Sequence, residues 1–485
     1  MKISMLLFLI LITHGFVAQK TTQQLVDDFA KDPTLENASI SIQFKEIGVA
    51  TNLAEYRPKT AIPTASTAKL FSTSSAIEIL GPDYRPITKI YHTGTIENGV
   101  LKGDVWIIGG GDPSLGSKYF NGPGKEDAFL FAWVDSIKSK GIAKIEGRII
   151  ADGSSFGYAG VPDGWIWSDM GNYYGAGPAG INVFDNMIRY NFNTGDAGTK
   201  AKLVNEWPKQ AVQGNFIIGI TAQNVSGDNS YIFGAPYSFD RFSTGSLPIN
   251  QANFEVKGSM PDPELQLAYL LNTYLLKSEI KVSGGFAGVR HDLNGTGANI
   301  KSGEFKLLFQ HKGRTIKEIA AITNEKSVNL FAEALVCLIA FRNNGIGTTE
   351  IGLKEIEKYF GPKISTNGLF LNDGSGLSRS NGISASHFCS LLEFMNSSKN
   401  YTPFFNTLPI AGKSGTITSL CKGQAGEGRV FAKSGSMNKV KSYAGYITAK
   451  SGKKYVFAIT VNNYNCSTST LVNKMEVLLN SVAIL

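Results

Sequence analysis

The sequence predicts an α/β domain that is assembled from both ends of the chain and interrupted by a long β-rich insert. Three observations support this division. Residues 38–44 alternate with the period of a strand, and a helix is expected after them, between Ser66 and Leu80. Residues 81–257 consist of short alternating runs that are separated by Gly, Asn and Asp turns. Helical character returns from about Pro261 onward.

The elements of the first zone follow from local signals. A helix-like segment begins at Thr21 and leads into the strand at 38–44. The next helix begins near Ser66 and ends at Gly81-Pro82, because neither glycine nor proline continues a helix well.

The insert is expected to be almost entirely β. Residues 105–108 and 216–221 are typical strand-like runs within it. We predict an insert at 81–257 that forms two small subdomains, and one surrounding domain at 19–80 and 258–485.

The third zone combines helices with one hairpin, and a helix closes the chain. The predicted helices are Glu264–Lys277, Ile316–Thr323, Ser327–Phe341 and Thr468–Val482, and the predicted hairpin strands are Lys441–Ala449 and Lys454–Val461.

The N-terminus has the pattern of a secretory signal over residues 1–18. Lys2 precedes the apolar run 5–12, and small residues follow where cleavage belongs. This run is too short to span a membrane, since a span takes roughly 20 residues, and no later stretch is long and apolar enough. We therefore expect an exported chain without a stable membrane span after the signal is removed.

Composition excludes several classes of function. The net charge of +8 comes from 47 basic and 39 acidic residues without a Lys/Arg block, so it favours an anionic polymer at least as much as a nucleic acid, and no nucleic-acid partner is expected. Five His and four Cys leave little material for a metal site, and none of the cysteines forms a CxxC pair. We predict no metal and no cofactor, and cysteine pairing stays open.

The first motif that could carry chemistry is Ser66-Thr-Ala-Lys69. In a helix that starts here, Ser66 lies in the first turn and Lys69 falls on the same face. The hydroxyl is then a nucleophile beside a candidate base, provided that burial or a nearby cation lowers the lysine pKa. Alone, the pattern also fits a capping serine with a surface lysine.

Two more motifs follow along the chain. Ser327-Val-Asn329 places a hydroxyl and an amide two residues apart, which suits proton transfer and substrate binding but also helix capping. Lys433-Ser-Gly-Ser436 offers a cation for a substrate carboxylate, a hydroxyl, and a glycine that lets a ligand lie near a strand. A second Lys-Ser-Gly triplet begins at Lys413, but its surroundings are turn-like, so we favour the later copy.

In this order, the three motifs are the signature of the penicillin-binding protein and serine β-lactamase superfamily. The chain resembles the D-alanyl-D-alanine carboxypeptidase/endopeptidase family, the class C low-molecular-mass penicillin-binding proteins. The matching stretches are Pro63–Leu70, Gly109–Leu115, Asn324–Ala334, Asp373–Arg379, Leu408–Gly412, Ala432–Ser436 and Ala444–Tyr446. The resemblance implies a transpeptidase-like domain, with an antiparallel sheet flanked by helices, and a β-rich insert between the first two motifs.

The resemblance also implies a catalytic role for five residues. Ser66 would attack the carbonyl of the penultimate D-Ala of a peptidoglycan stem, with Lys69 as the base for acylation. Ser327 would relay the proton to the leaving amine, and Asn329 would hold the lysine and the acyl-side amide. Lys433 would bring positive charge near the nucleophile and the terminal carboxylate, a reason for Lys69 to be neutral.

Further positions match residues that bind the substrate. The backbone N–H groups of Ser66 and Ser436 match the family's oxyanion hole. Ser434 stands where threonine is commoner and keeps the hydroxyl, and Gly435 completes the triplet.

A third group matches residues that select the substrate side chain. Asp169, and the aromatic Tyr174 five residues later, match residues that hold the ammonium end of meso-diaminopimelate, and Arg379 matches the residue that binds that side chain's carboxylate.

The resemblance thus implies a periplasmic D,D-peptidase that acts on stem peptides and cross-links and is acylated by β-lactams. Two alternatives remain open: a serine β-lactamase-like hydrolase on the same core, and a catalytically silent wall-binding protein.

Overall fold

The computed structural model describes residues 20–122, 124–292 and 304–485. The predicted export signal lies outside the described residues. The helices are α1 Thr22–Ala30, α2 Lys69–Ile79, α3 Ala128–Ser139, α4 Trp167–Met170, α5 Pro263–Lys277, α6 Val289–Asp292, α7 Ile316–Lys326, α8 Asn329–Asn344, α9 Thr349–Phe360, α10 Ala385–Ser397, α11 Tyr401–Phe405 and α12 Thr468–Ala483.

The strands are short in the insert and longer near the C-terminus. They are β1 Ser39–Glu46, β2 Asn52–Tyr56, β3 Ile87–His92, β4 Thr95–Glu97, β5 Val100–Lys102, β6 Val105–Ile108, β7 Lys144–Ile145, β8 Ile149–Asp152, β9 Met187–Asn193, β10 Lys202–Trp207, β11 Phe216–Ile218, β12 Thr221–Gln223, β13 Asn229–Phe233, β14 Arg241–Pro248, β15 Phe254–Ser259, β16 Lys281–Val282, β17 Phe286–Gly288, β18 Lys306–Lys312, β19 Val430–Met437, β20 Val440–Thr448 and β21 Lys454–Asn462.

A five-stranded antiparallel sheet joins the two ends of the chain. Its order is β19-β20-β21-β1-β2, so the last strand of the sequence pairs with the first along its whole length. This sheet confirms the predicted α/β fold, and the assignment of residues 19–80 and 258–485 to one domain stays a prediction.

Helices cover both faces of this sheet. Along β21, Val456 and Ala458 belong to the core that contains α2, α8 and α10, whereas Phe457 and Ile459 belong to the core on the other face, with α1 and α12. Successive side chains of a strand point to opposite faces. Residues 455–462 are therefore buried throughout, as expected for a strand covered on both sides.

The insert contains four further sheets in the described residues. Their orders are β17-β8-β6-β3-β18, β16-β7-β5-β4, β10-β9-β15 and β11-β14-β12, with β13 paired to β14. Helix α5 packs into the same core as these strands, and β18 pairs with β3. Since both elements follow residue 257 in sequence, we propose that the insert unit extends to Lys312. Its division into two subdomains stays a prediction.

Sequence patterns missed two features of the insert. Helix α3 lies in a region that was expected to be almost all β, and it buries Leu130, Trp133 and Ile137 at helical spacing. The expected strand at 216–221 is broken after Ile218, so that β11 and β12 pair separately with β14.

Helix α8 is the central buried helix, and every residue from Leu330 to Ala340 is buried.

All four cysteines are unpaired, and Cys466 alone is partly exposed. Among the described residues, no single helix is long and apolar enough to cross a membrane; α8 and α9 reach that length and composition only together, across a bend of 79°.

Candidate active site

Ser66 lies in a short 3-10 turn, Ala65–Ala68, that leads directly into α2. The expected helix therefore begins with a tighter first turn than an α-helix has. Ala65 adopts a left-handed conformation, with φ of 49°, which is unusual for a residue with a side chain. Ser66 remains partly exposed, whereas Lys69 at the start of α2 is completely buried.

The Lys69 ammonium lies at the centre of three hydrogen bonds. Its Nζ donates to Ser66 Oγ at 2.9 Å, to Asn329 Oδ1 at 2.6 Å and to the carbonyl oxygen of Ser375 at 2.7 Å. The structure thus brings the predicted nucleophile, base and amide together. The Ser375 carbonyl is a contact that the sequence did not predict.

Burial lowers the pKa of Lys69 to about 7, from an ordinary value of 10.5. The negative charges of Asp373 and then Glu333 oppose this shift. The sequence offered either burial or a neighbouring cation as the cause, and desolvation by burial is the leading one. At neutral pH, a substantial fraction of Lys69 is therefore unprotonated and able to accept a proton.

Ser327 and Lys433 form the second pair of the site. Ser327 ends α7 in a left-handed conformation, with φ of 59°, just before α8 begins. Lys433, on β19, is completely buried and donates to Ser327 Oγ at 3.0 Å and to the Ser434 carbonyl at 2.7 Å. Burial, followed by the charges of Lys69 and Lys441, holds the pKa of Lys433 well below its usual value.

Asn329 connects Lys69 with the insert. It is the first residue of α8, and its Nδ2 donates to the backbone carbonyl of Tyr174 at 2.8 Å while its Oδ1 accepts from Lys69. One orientation of the Asn329 amide therefore satisfies both partners, with its oxygen toward Lys69 and its nitrogen toward the Tyr174 carbonyl of the insert.

The Ser375 carbonyl is positioned by two buried carboxylates. Glu333, on α8, accepts from the backbone N–H groups of Gly374 at 3.0 Å and Ser375 at 2.7 Å. Burial, and then the charge of Asp373, raises the pKa of Glu333 to about 8. A carboxylate inside an otherwise apolar helix was a signal that could have revealed this contact, because buried polar groups need partners.

Asp373 holds the same loop from within. Its carboxylate accepts from the backbone N–H groups of Gly376 at 2.8 Å and Ser378 at 2.6 Å, and from Asn381 Nδ2 at 2.8 Å. Trp165 of the insert donates its indole Nε1–H to the same carboxylate at 2.9 Å. No local signal predicts this last contact, because the partners lie 208 positions apart.

Gly435 is required by its close approach to the turn that carries Ser66. A Cβ at this position would lie 2.3 Å from the Thr64 carbonyl oxygen and 2.3 Å from Ser442 Oγ. The expected reason for this glycine was close approach of a ligand to the strand. The structure adds a different reason, since Thr64 directly precedes the 3-10 turn.

Ser434 is buried and has a hydroxyl partner. Its Oγ lies 2.7 Å from Thr416 Oγ1, and either atom can be the donor. Thr416 belongs to the segment that contains the second Lys-Ser-Gly triplet. This triplet therefore does not replace the later one but packs beside it.

A cavity of about 430 Å³ opens over these groups. Its lining includes Ser66, Ser327, Asn329 and the exposed Ser436, together with Asp169, Tyr174 and Arg379 of the predicted side-chain pocket. All seven were predicted from the sequence, and they meet at one surface.

Within this cavity, Tyr174 OH donates to Asp169 Oδ1 at 3.4 Å. Partial burial raises the pKa of Asp169, and the Tyr174 hydrogen bond and the charge of Arg379 oppose the rise. In the described part of the chain, no group of three or more His, Cys, Asp or Glu side chains is arranged to hold a metal ion.

Comparisons with known proteins agree with one another. The D-Ala-D-Ala carboxypeptidase 3 (S13) family matches residues 22–482. A D-alanyl-D-alanine carboxypeptidase of Actinomadura sp. (strain R39) is 27% identical over 460 residues, which cover 91% of this chain and 80% of the relative. The D-alanyl-D-alanine carboxypeptidase DacB of Haemophilus influenzae is 26% identical over 460 residues, which cover 91% and 88%.

The same fold is found in a solved structure. The crystal structure of penicillin binding protein 4 from Haemophilus influenzae matches with a TM-score of 0.80 at 24% identity and covers 95% of this chain and 99% of the other. A second structure of that protein, complexed with a β-lactam, matches with a TM-score of 0.74 at 23% identity. The two chains therefore share their fold over almost their whole length.

Proposed function

The chain belongs to the D-Ala-D-Ala carboxypeptidase 3 (S13) family and is a serine D,D-peptidase; we propose that it forms its acyl-enzyme on Ser66 and cleaves peptidoglycan stem peptides and their cross-links. The observation that carries the proposal is the 2.9 Å contact between Ser66 Oγ and a completely buried Lys69 whose pKa is about 7. A lysine that loses its proton near neutral pH is a competent general base.

Acylation begins with transfer of the Ser66 hydroxyl proton to neutral Lys69. The freed oxygen attacks the carbonyl carbon of the penultimate D-Ala, and the negative charge that develops on the carbonyl oxygen is stabilised by the backbone N–H groups of Ser66 and Ser436. Asn329 and the Ser375 carbonyl hold the lysine in place during the transfer.

Breakdown of this intermediate releases the terminal amino acid. As the C–N bond breaks, its electron pair takes up, through the Ser327 hydroxyl, the proton that Lys69 accepted from Ser66, so that Lys69 is neutral again. The Ser327 hydroxyl contacts Lys433 at 3.0 Å. The acyl group stays on Ser66 until water attacks the ester, with Lys69 accepting the proton of the water and then returning it to the Ser66 oxygen as the ester bond breaks. Lys433 and Ser434 bind the carboxylate of the departing residue.

The side-chain pocket supports a zwitterionic substrate. Asp169 and Arg379 lie on the same cavity as Ser66 and carry opposite charges, as the ammonium and carboxylate of a meso-diaminopimelate side chain require. Partial burial strengthens the attraction of Asp169 for a cation, because water screens it less.

Two further expectations complete the proposal. Strained β-lactam amides would acylate Ser66 in the same way and leave more slowly. The substrate lies outside the cytoplasm, so the pattern at residues 1–18 supports export to the periplasm.

A fluorescent penicillin tests the nucleophile. The Ser66→Ala variant should unfold at the wild-type temperature and give no covalent label, because only the attacking oxygen is removed. Persistent labelling of this variant would contradict the assignment. Rapid turnover of the wild-type adduct would instead favour the β-lactamase-like alternative.

The repeated Lys-Ser-Gly triplet supplies a matched pair of lysine variants. Lys433→Ala should reduce labelling strongly, whereas Lys413→Ala, in the earlier triplet, should label like the wild type. Equal losses in both would contradict the role of the later triplet.

The pocket is tested with two substrates of different side chain. Arg379→Ala should reduce kcat/KM for diaminopimelate-containing peptides far more than for bis-acetyl-lysine tripeptide analogues, which lack the side-chain carboxylate. Equal losses on both would contradict the pocket while leaving the nucleophile unaffected.

A further inference from the structure

One face of the insert carries an exposed apolar row on a β-sheet. Strand pairing places Ile217 of β11 beside Phe242 of β14, and Phe242 beside Phe233 of β13. Ile217 is 60% exposed and Phe242 41% exposed, and the Phe233 and Phe242 rings stack with centroids 4.9 Å apart. A sheet face exposed to water normally carries polar side chains, so this row needs a different explanation.

The row leads toward the active-site cavity. Trp167 of α4 is 53% exposed, and its ring lies 6.0 Å from that of Phe233. The neighbours of Trp167 in sequence, Ile166 and Ser168, both line the cavity that contains Ser66. With strands about 4.8 Å apart, the surface continues for several ångströms from the cavity across three strands.

Polar side chains accompany the aromatic ones on the same face. Tyr231, which is exposed and lines the cavity, pairs across the strands with Thr244. Two residues further along the same strands, Asn229 pairs with Ser246 and lies on the same face. The face therefore offers flat rings in one row, and hydroxyl and amide groups in the rows beside it.

We propose that this surface, formed by Trp167, Phe233, Phe242 and Ile217, binds the polysaccharide strand to which the stem peptides are attached. A sugar ring has an apolar C–H face that stacks on aromatic rings, and hydroxyl and acetamido groups at its edge that hydrogen-bond with polar side chains. Both features occur here side by side. The inference rests on the proposed function, because a substrate peptide in the cavity would bring its polysaccharide strand close to the insert.

The arrangement also distinguishes this surface from a buried core. The rings lie on the outside of the sheet, whereas Ile232 between Tyr231 and Phe233 points inward and is completely buried. The apolar row is thus an addition to a sheet whose inner face already has a complete core.

Binding to polysaccharide freed of peptide tests the proposal without requiring catalysis. The probe is the glycan strand that remains after an amidase has removed the stem peptides. Phe242→Ala and Trp167→Ala should each weaken binding about tenfold, the scale of losing one well-packed aromatic contact. Hydrolysis of a small soluble peptide and labelling by penicillin should stay at the wild-type level in both variants.

Phe131→Ala is the matched control, because Phe131 is a phenylalanine of α3 that is 55% exposed and has one aromatic neighbour, Tyr274, at 5.0 Å. It should bind the glycan like the wild type. The proposal would be overturned if wild-type protein did not bind the peptide-free strand, or if all three variants lost binding equally.

A second copy of the chain or a lipid surface at this site would give different results in binding experiments. Concentration-dependent dimerisation that Phe242→Ala abolishes, or binding to anionic phospholipid vesicles without glycan binding, would also overturn the proposal. If the glycan bound but Ser66 were never acylated, the proposed function would fail and the polysaccharide surface would stand.

Discussion

Replacement of Gly435 by alanine tests how closely the position of Ser66 depends on the neighbouring strand β19. The new Cβ would lie 2.3 Å from the Thr64 carbonyl oxygen, and real Cβ contacts are essentially never shorter than 3.0 Å. The Ser442 hydroxyl can rotate away, but a backbone carbonyl cannot. The strand and the turn that carries Ser66 must therefore separate by about 0.7 Å at least.

A displacement on this scale should be visible in the acylation rate. Misplacement of a reacting group by about 1 Å can cost about 100-fold in rate, or about 2.7 kcal/mol of transition-state stabilisation. We expect the second-order rate constant for labelling by a fluorescent penicillin to fall about 30- to 100-fold, and overpacking to lower the free energy of unfolding by about 1–3 kcal/mol.

Gly122→Ala is the control for this prediction, because its Cβ would meet nothing within 4 Å and its backbone is not in the left-handed region. It should leave both the rate and the stability unchanged. Acylation of Gly435→Ala within threefold of the wild-type rate would show that this glycine does not fix the position of Ser66.

Three further predictions concern the groups around Ser66. The acylation rate should rise about tenfold per pH unit below pH 7 and level off above it, because only unprotonated Lys69 accepts the proton; a flat profile from pH 5 to 8 would be inconsistent with this base. Trp165→Phe removes the donor to Asp373 and should lower the free energy of unfolding by about 1.5–3 kcal/mol and slow acylation; calorimetry and labelling kinetics that match the wild type would disprove the link. Thr416→Val removes the hydrogen-bond partner that orients the Ser434 hydroxyl toward the substrate carboxylate, and should raise KM several-fold. Thr416→Ser keeps a hydroxyl at this position and should restore the wild-type KM. An equal rise for substrates with an amidated C-terminus would show that carboxylate binding is not the cause.

Elements with a clear local signal were predicted well. The helix expected at Glu264–Lys277 is observed as Pro263–Lys277, with Asp262 capping its first turn, and the closing helix ends within one residue of its predicted end. The helix α3 was not predicted, because the sequence around it is rich in the Gly and Asn turns that are typical of β structure.

The residues of the candidate site also differ in whether a local signal predicts them. Ser66, Lys69 and Asn329 lie within motifs of three or four residues, where spacing along the chain already implies proximity or a shared face. The Ser375 carbonyl could not be predicted as a partner of Lys69, because it is a backbone group 306 positions away that reaches the lysine through the packing of α2 against a distant loop.

By itself, the sequence determined which residue types are available for acyl transfer and which local elements present them, since periodicity and turn chemistry act over a few residues. Only the tertiary structure decided the protonation state of these residues. The pKa of Lys69 depends on its complete burial, and burial is a property of all the segments that pack around a side chain. For the same reason, glycine is needed at position 435 only because the folded chain brings the strand β19 against the turn at Thr64.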